Sequence, residues 1–91
     1  MALARTFYGQ GWTPQQYDTL IARINDGRTA PPGVLYHWAA KTADGMYAVD
    51  VYESQEAADR LAEGLGPLVE EFGLPIPEVS DFYEVYSILQ P

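Results

Sequence analysis

The chain contains one histidine and no cysteine. Acid–base chemistry near neutral pH must therefore centre on His37, and thiol chemistry is excluded. What stands beside His37 follows from a single turn. Val34 to Ala43 and Met46 to Glu53 both read as strands, and Asp44-Gly45 between them is the favoured pair for a two-residue type I′ hairpin. That turn sets Ala43 against Met46, Lys41 against Ala48, Ala39 against Asp50 and His37 against Tyr52. One side of the ribbon then carries Leu35, His37, Ala39, Lys41, Ala48, Asp50 and Tyr52. The other carries Tyr36, Trp38, Ala40, Tyr47, Val49 and Val51.

The first side has the parts of an acid–base site. An imidazole with an ordinary pKa of about 6.5 gives or takes a proton at neutral pH. A carboxylate in hydrogen-bond reach fixes its tautomer and raises its basicity. A phenol can donate to a developing oxyanion. His37 is accordingly the candidate base, Asp50 its orienter and Tyr52 a donor to the substrate oxygen. Ala39 and Ala48 leave room beside them, with Leu35 and Lys41 completing the strand side of a ligand site. The plainer alternative is a histidine and an aspartate that only satisfy one another on a strand. Arg5 and Lys41 read as solvated charge rather than anion-binding residues, and Glu70-Glu71 as a solvated helix patch. Gly9-Gln10-Gly11 is no dinucleotide fingerprint, because Pro14 stands where a third glycine would be needed. A phosphate loop, a nucleophile elbow and a second histidine are all lacking, so neither a metal site nor a cofactor is expected.

The elements that must position these residues alternate clearly. Leu3 to Tyr8 reads as a strand ended by Gly9 and Gly11. Thr13 is a helix N-cap, with Pro14 at N1 and Gln16 at N3 completing a capping box. Tyr17, Leu20, Ile21 and Ile24 then form one apolar stripe, and Trp12 packs on Tyr17 as a hydrophobic staple. Asn25-Asp26-Gly27 ends this helix, and a proline-rich loop follows. Ser54 caps a second helix whose apolar face is Ala57, Ala58, Leu61 and Leu65, the last two lining the ligand site from above. Gly64, Gly66 and Pro67 break it, leaving a separate helical piece with Leu68, Val69 and Phe72. Val79 to Leu89 is the last strand. The order β-α-β-β-α-α-β is a ferredoxin-like plan: an α+β domain over residues 1–91, with a four-stranded antiparallel sheet and helices on one face.

Composition bounds the partners. With 91 residues the core is thin, yet 47% of the chain is hydrophobic, including seven tyrosines and two tryptophans. A homodimer sealed through the Trp38 face would use that surplus. A net charge of −8 argues against nucleic acid and anionic membranes. The N-terminus MALARTFYGQ has no apolar signal core, so the expected location is cytoplasmic.

The segments PPGVLYHWAAKTADG, VDVYESQEAADRLAE and LGPLVEEFGLP, set in this element order, resemble the dimeric α+β barrel superfamily. Within it they look closest to small proteins related to the antibiotic biosynthesis monooxygenases. The resemblance spans nearly the whole chain. It implies two sheets packed face to face across a two-fold axis, with a ligand pocket between each sheet and its own helices. It further implies a cofactor-independent enzyme acting on a small aromatic or polyketide-like molecule by proton abstraction, as a monooxygenase, isomerase or cyclase. The alternative within the same fold is a non-catalytic binding or accessory protein for a small hydrophobic metabolite. The asparagine–tryptophan set of the anthrone oxygenases is not recognisable here. The strand position of His37 also differs from the helix-borne ligand of the heme degraders.

Overall fold

The computed structural model describes residues 2–28 and 30–89. Its elements are β1 (Leu3–Gln10), α1 (Pro14–Asn25), β2 (Val34–Lys41), β3 (Gly45–Tyr52), α2 (Gln55–Glu71), β4 (Glu78–Val79) and β5 (Tyr83–Glu84). The sheet is antiparallel, in the order β2-β3-β1-β4, with β5 also pairing β1 further along its length. This is the expected ferredoxin-like α+β plan, with both helices over one face.

The start of α1 follows its sequence signals. The Thr13 hydroxyl accepts from the Gln16 N–H while the Gln16 side chain accepts from the Thr13 N–H, so two otherwise unpaired donors are satisfied reciprocally. The helix ends where Asp26 and then Gly27 turn left-handed. Trp12 lies directly over Gly9, where any Cβ would fall 2.5 Å from the indole. Its Nε1 donates to the Pro75 carbonyl at 2.9 Å. Trp12, Leu20, Met46, Val69 and Leu74 form one buried cluster with Tyr17 packed on it; Tyr52, Ala57 and Ala58 form a second.

Three expectations are corrected. The hairpin does not use a two-residue type I′ turn. Lys41 pairs with Met46, Ala39 with Ala48 and His37 with Asp50, leaving Thr42–Asp44 as the connection. Neither Asp44 nor Gly45 has the positive φ that type I′ requires. The reason lies in β1. Gly45 pairs with Gln10, so closely that a Cβ there would sit 2.1 Å from the Gly9 carbonyl oxygen, and the Gly11 N–H donates to the Asp44 carbonyl. Pairing with β1 thus captures the glycine that the turn would have used. From Tyr36 to Lys41 the slip is two residues, which preserves the facing of those side chains, and a register shift between Val34 and Tyr36 then sets Val34 against Tyr52.

The second correction concerns α2, which runs unbroken from Gln55 to Glu71 with Pro67 inside it. Proline removes one backbone hydrogen bond, but burial of Val69 beyond it holds the last turn on the core. Gly64 does not break the helix either. It lies where α1 approaches, and a Cβ at that position would stand 3.3 Å from Ile24 Cδ1. The third is the C-terminal strand, which is reduced to β4 and β5 and interrupted between them. There the Ser80 hydroxyl takes over the pairing by accepting from the Thr6 N–H at 2.9 Å. Phe82 turns inward against Tyr52.

Candidate active site

His37 on β2 and Asp50 on β3 are direct cross-strand partners on the helix-facing side of the sheet. Imidazole Nδ1 bonds Asp50 Oδ1. The Tyr52 hydroxyl donates to the other carboxylate oxygen, Oδ2, at 2.9 Å. On the far side of the ring, Nε2 meets the hydroxyl of Tyr17, carried by α1. A carboxylate at Nδ1 holds the proton on that nitrogen. Nε2 is then the basic nitrogen and accepts from Tyr17. The four side chains Tyr17, His37, Asp50 and Tyr52 form one continuous hydrogen-bonded chain across three elements.

The environment along this chain is graded. The Asp50 side chain is 9% exposed and that of His37 31%. Tyr52 is buried. Burial, and secondarily the Asp50 carboxylate, push the Tyr17 phenol up to about 12. The same causes, in the same order, raise Tyr52 further, with Arg5 opposing. Both phenols keep their protons at neutral pH, so each acts as a donor.

Beside this chain lies a cavity of about 370 Å³ between the sheet and the two helices. Tyr17, His37 and Asp50 form its polar wall; Leu20, Ile24 and Leu61 are among its apolar ones. Of the expected lining residues, Leu35, Ala48, Leu61 and Leu65 are present. Ala39 and Lys41 are not. The two-residue slip moves both toward the hairpin end, where Ala39 packs on the Trp12 cluster and Lys41 is solvent-exposed. Tyr52 is corrected as well. It lies outside this cavity and its proton is committed to Asp50, so it buttresses the carboxylate and does not face this space.

Sequence reasoning gives Tyr17 only a place in a staple. Its packing on the Trp12 cluster agrees with that, but the hydroxyl at its tip completes the polar wall. The signal was in the helical stripe. A tyrosine in register with Leu20, Ile21 and Ile24 points at the sheet, and a phenol so placed needs a polar partner. Among the described residues no three His, Asp or Glu side chains gather as a metal-ligand set.

Solved structures with this arrangement of elements place it. SnoaB, a cofactor-independent oxygenase from Streptomyces nogalater, superposes with a TM-score of 0.67 at 14% identity, over 99% of this chain and 97% of its own. The fold is that of the antibiotic biosynthesis monooxygenase-like dimeric α+β barrels. Rv0793 from Mycobacterium tuberculosis is similar at a TM-score of 0.71 and 13% identity, covering 99% of this chain and all of that one (100%). A protein provisionally assigned to the antibiotic biosynthesis monooxygenases, from Deinococcus radiodurans, matches at 0.61 and 10% identity over 100% and 98% of the two chains. No protein-family model and no curated protein matches the chain.

Proposed function

We propose that this barrel protein is a cofactor-independent enzyme that removes a proton from a small aromatic or polyketide-like substrate, with oxygenation as the leading outcome. The observation that carries this reading is the hydrogen-bonded chain Tyr17–His37–Asp50 set into the wall of a largely apolar cavity. His37 is the base. Asp50, held by Tyr52, orients the imidazole and stabilises it once protonated.

A substrate O–H or activated C–H reaches Nε2 by displacing the Tyr17 hydroxyl, which is then free to donate to the anion that forms. The resulting electron-rich anion can add dioxygen at carbon. The hydroperoxide then loses water to leave a carbonyl, so that CH₂ and O₂ become C=O and H₂O. Rearrangement or ring closure of the same anion would give an isomerase or cyclase. Similarity to a cofactor-independent oxygenase favours the first course. A binding or accessory role has its own support, because both ring nitrogens of His37 are already engaged.

Oxygen uptake with electron-rich polycyclic phenols tests these readings together. Uptake that vanishes in His37→Ala supports the oxygenase. Product formed without uptake supports the isomerase or cyclase. Tight binding without turnover supports the accessory role.

A further inference from the structure

A second cavity, of about 590 Å³, adjoins the first. The two share Phe7, Leu61, Leu65 and Pro77 as common walls, so a ligand in one has a neighbouring chamber in the other. The second chamber is apolar apart from two charged residues, Arg5 and Glu70. Glu70 is exposed at the rim, whereas Arg5 is half-buried on β1.

Arg5 is the cross-strand neighbour of Asp50 on the side opposite His37. That carboxylate is bonded through one oxygen to His37 and through the other to Tyr52, and it makes neither a hydrogen bond nor an ion pair with Arg5. The guanidinium is instead stacked on Phe82, with Cζ 3.7 Å from the ring centroid. Its Nε is shut off from solvent and finds no acceptor among the described residues. The ion pairs among those residues do not include it. A guanidinium that lines an apolar chamber with a buried, unpartnered Nε–H is costly when empty, and its planar fork is well matched to a planar anion.

We infer that Arg5 is a substrate-anchoring residue and that the ligand is an aromatic molecule bearing a carboxylate, its acidic group seated at Arg5 in the second chamber while its ionisable ring lies against His37 and Tyr17. The inference rests on the assignment of the His37 cavity as the substrate site. It adds a specificity determinant at the opposite end. Stacking on Phe82 fixes the plane of the guanidinium, and a carboxylate can approach its two terminal Nη groups in that plane through two parallel hydrogen bonds. The neutral form of the same molecule offers one good acceptor in place of two and no charge.

The test is a fluorescence titration that compares anthracene-2-carboxylate with anthracene-2-carboxamide, a neutral probe of the same shape. The wild-type protein should bind the carboxylate about 10- to 100-fold more tightly, the range expected when hydrogen bonds to a charged group are gained. Arg5→Gln should abolish that preference by weakening the carboxylate far more than the carboxamide, and Arg5→Lys should retain part of it. The His37→Ala variant should keep the preference, which separates an anion seated at Arg5 from one seated at the imidazole. Equal affinity of the two probes for the wild-type protein overturns the inference, and needs no variant to fold. A preference that survives Arg5→Gln but disappears in His37→Ala also overturns it. Because the readout is binding, a protein that prefers the carboxylate yet never turns over substrate would refute the acid–base reading and leave the anchor standing.

Discussion

His37, Asp50 and Tyr17 answer to different substitutions because each meets the substrate differently. Replacing His37 by Ala removes the base and should lower the rate by about 10²–10⁴. Tyr17→Phe keeps the base and loses a donor to the anion, so a smaller loss of about 10² is expected. Tyr52→Phe strips the donor from a buried carboxylate oxygen, and its first effect should be on stability, at about 1–3 kcal/mol. Steady-state rates and urea midpoints for the three variants separate these roles. A second consequence concerns alkaline pH. Tyr17 is raised from its ordinary value of 10.0 to about 12 in the folded protein. An unfolded tyrosine ionises first, so the stability this phenol contributes is intact below pH 10 and is lost as pH climbs toward 12. Tyr52 is shifted the same way. The urea midpoint should therefore fall between about pH 10 and 12, and it should fall less steeply in Tyr17→Phe; an unchanged slope would show that Tyr17 is not the group responsible.

Elements governed by local chemistry were legible in the sequence, and those governed by distant pairing were not. The α1 cap depends on Thr13, Pro14 and Gln16 alone and could be read directly. The hairpin turn could not, because Gly45 is claimed by Gln10 and Gly9, which lie far earlier in the chain. The shared face of His37 and Asp50 was legible all the same, since a slip of two residues preserves side-chain parity. Tyr52 shows what such a slip does change. It keeps its face but loses its place opposite His37, and with it a view of the cavity. Reading Gly64–Pro67 as a break overlooked the fact that a buried residue beyond a proline can carry a helix through it. That residue is Val69. Removing the proline is then informative. Pro67 is exposed within α2, so Pro67→Ala should restore a backbone donor at little packing cost and stabilise the protein by about 1–3 kcal/mol. Thermal unfolding reads this directly, and a lower melting temperature would mean that the proline ring supports the last turn.

At the scale of the molecule, the face opposite the site is unfinished. Tyr36 and Trp38 are 41% and 46% exposed on β2. Trp38 rests on Tyr47 of the neighbouring strand at 5.9 Å between ring centroids. Tyr83, paired with Ala4, extends the exposed apolar surface across β1. A chain this small gains little from a core of two separate clusters, and a second copy would supply the missing cover. A second copy placed against this face would bury its aromatic side chains, with each cavity left on the outside between sheet and helices. Light scattering should accordingly give twice the 10.1 kDa of one chain. With −8 on each subunit, added salt should tighten the association by screening mutual repulsion. Trp38→Glu places a charge in the middle of the apolar patch and should yield the single-chain mass. Since only the native state dimerises, the melting temperature of the wild-type protein should rise with concentration, and that of Trp38→Glu should not. The variant leaves His37, Asp50 and Tyr17 untouched on the other face. If it stays folded it should still bind an aromatic ligand, so a folded monomer with no binding at all would show that the site needs the second subunit.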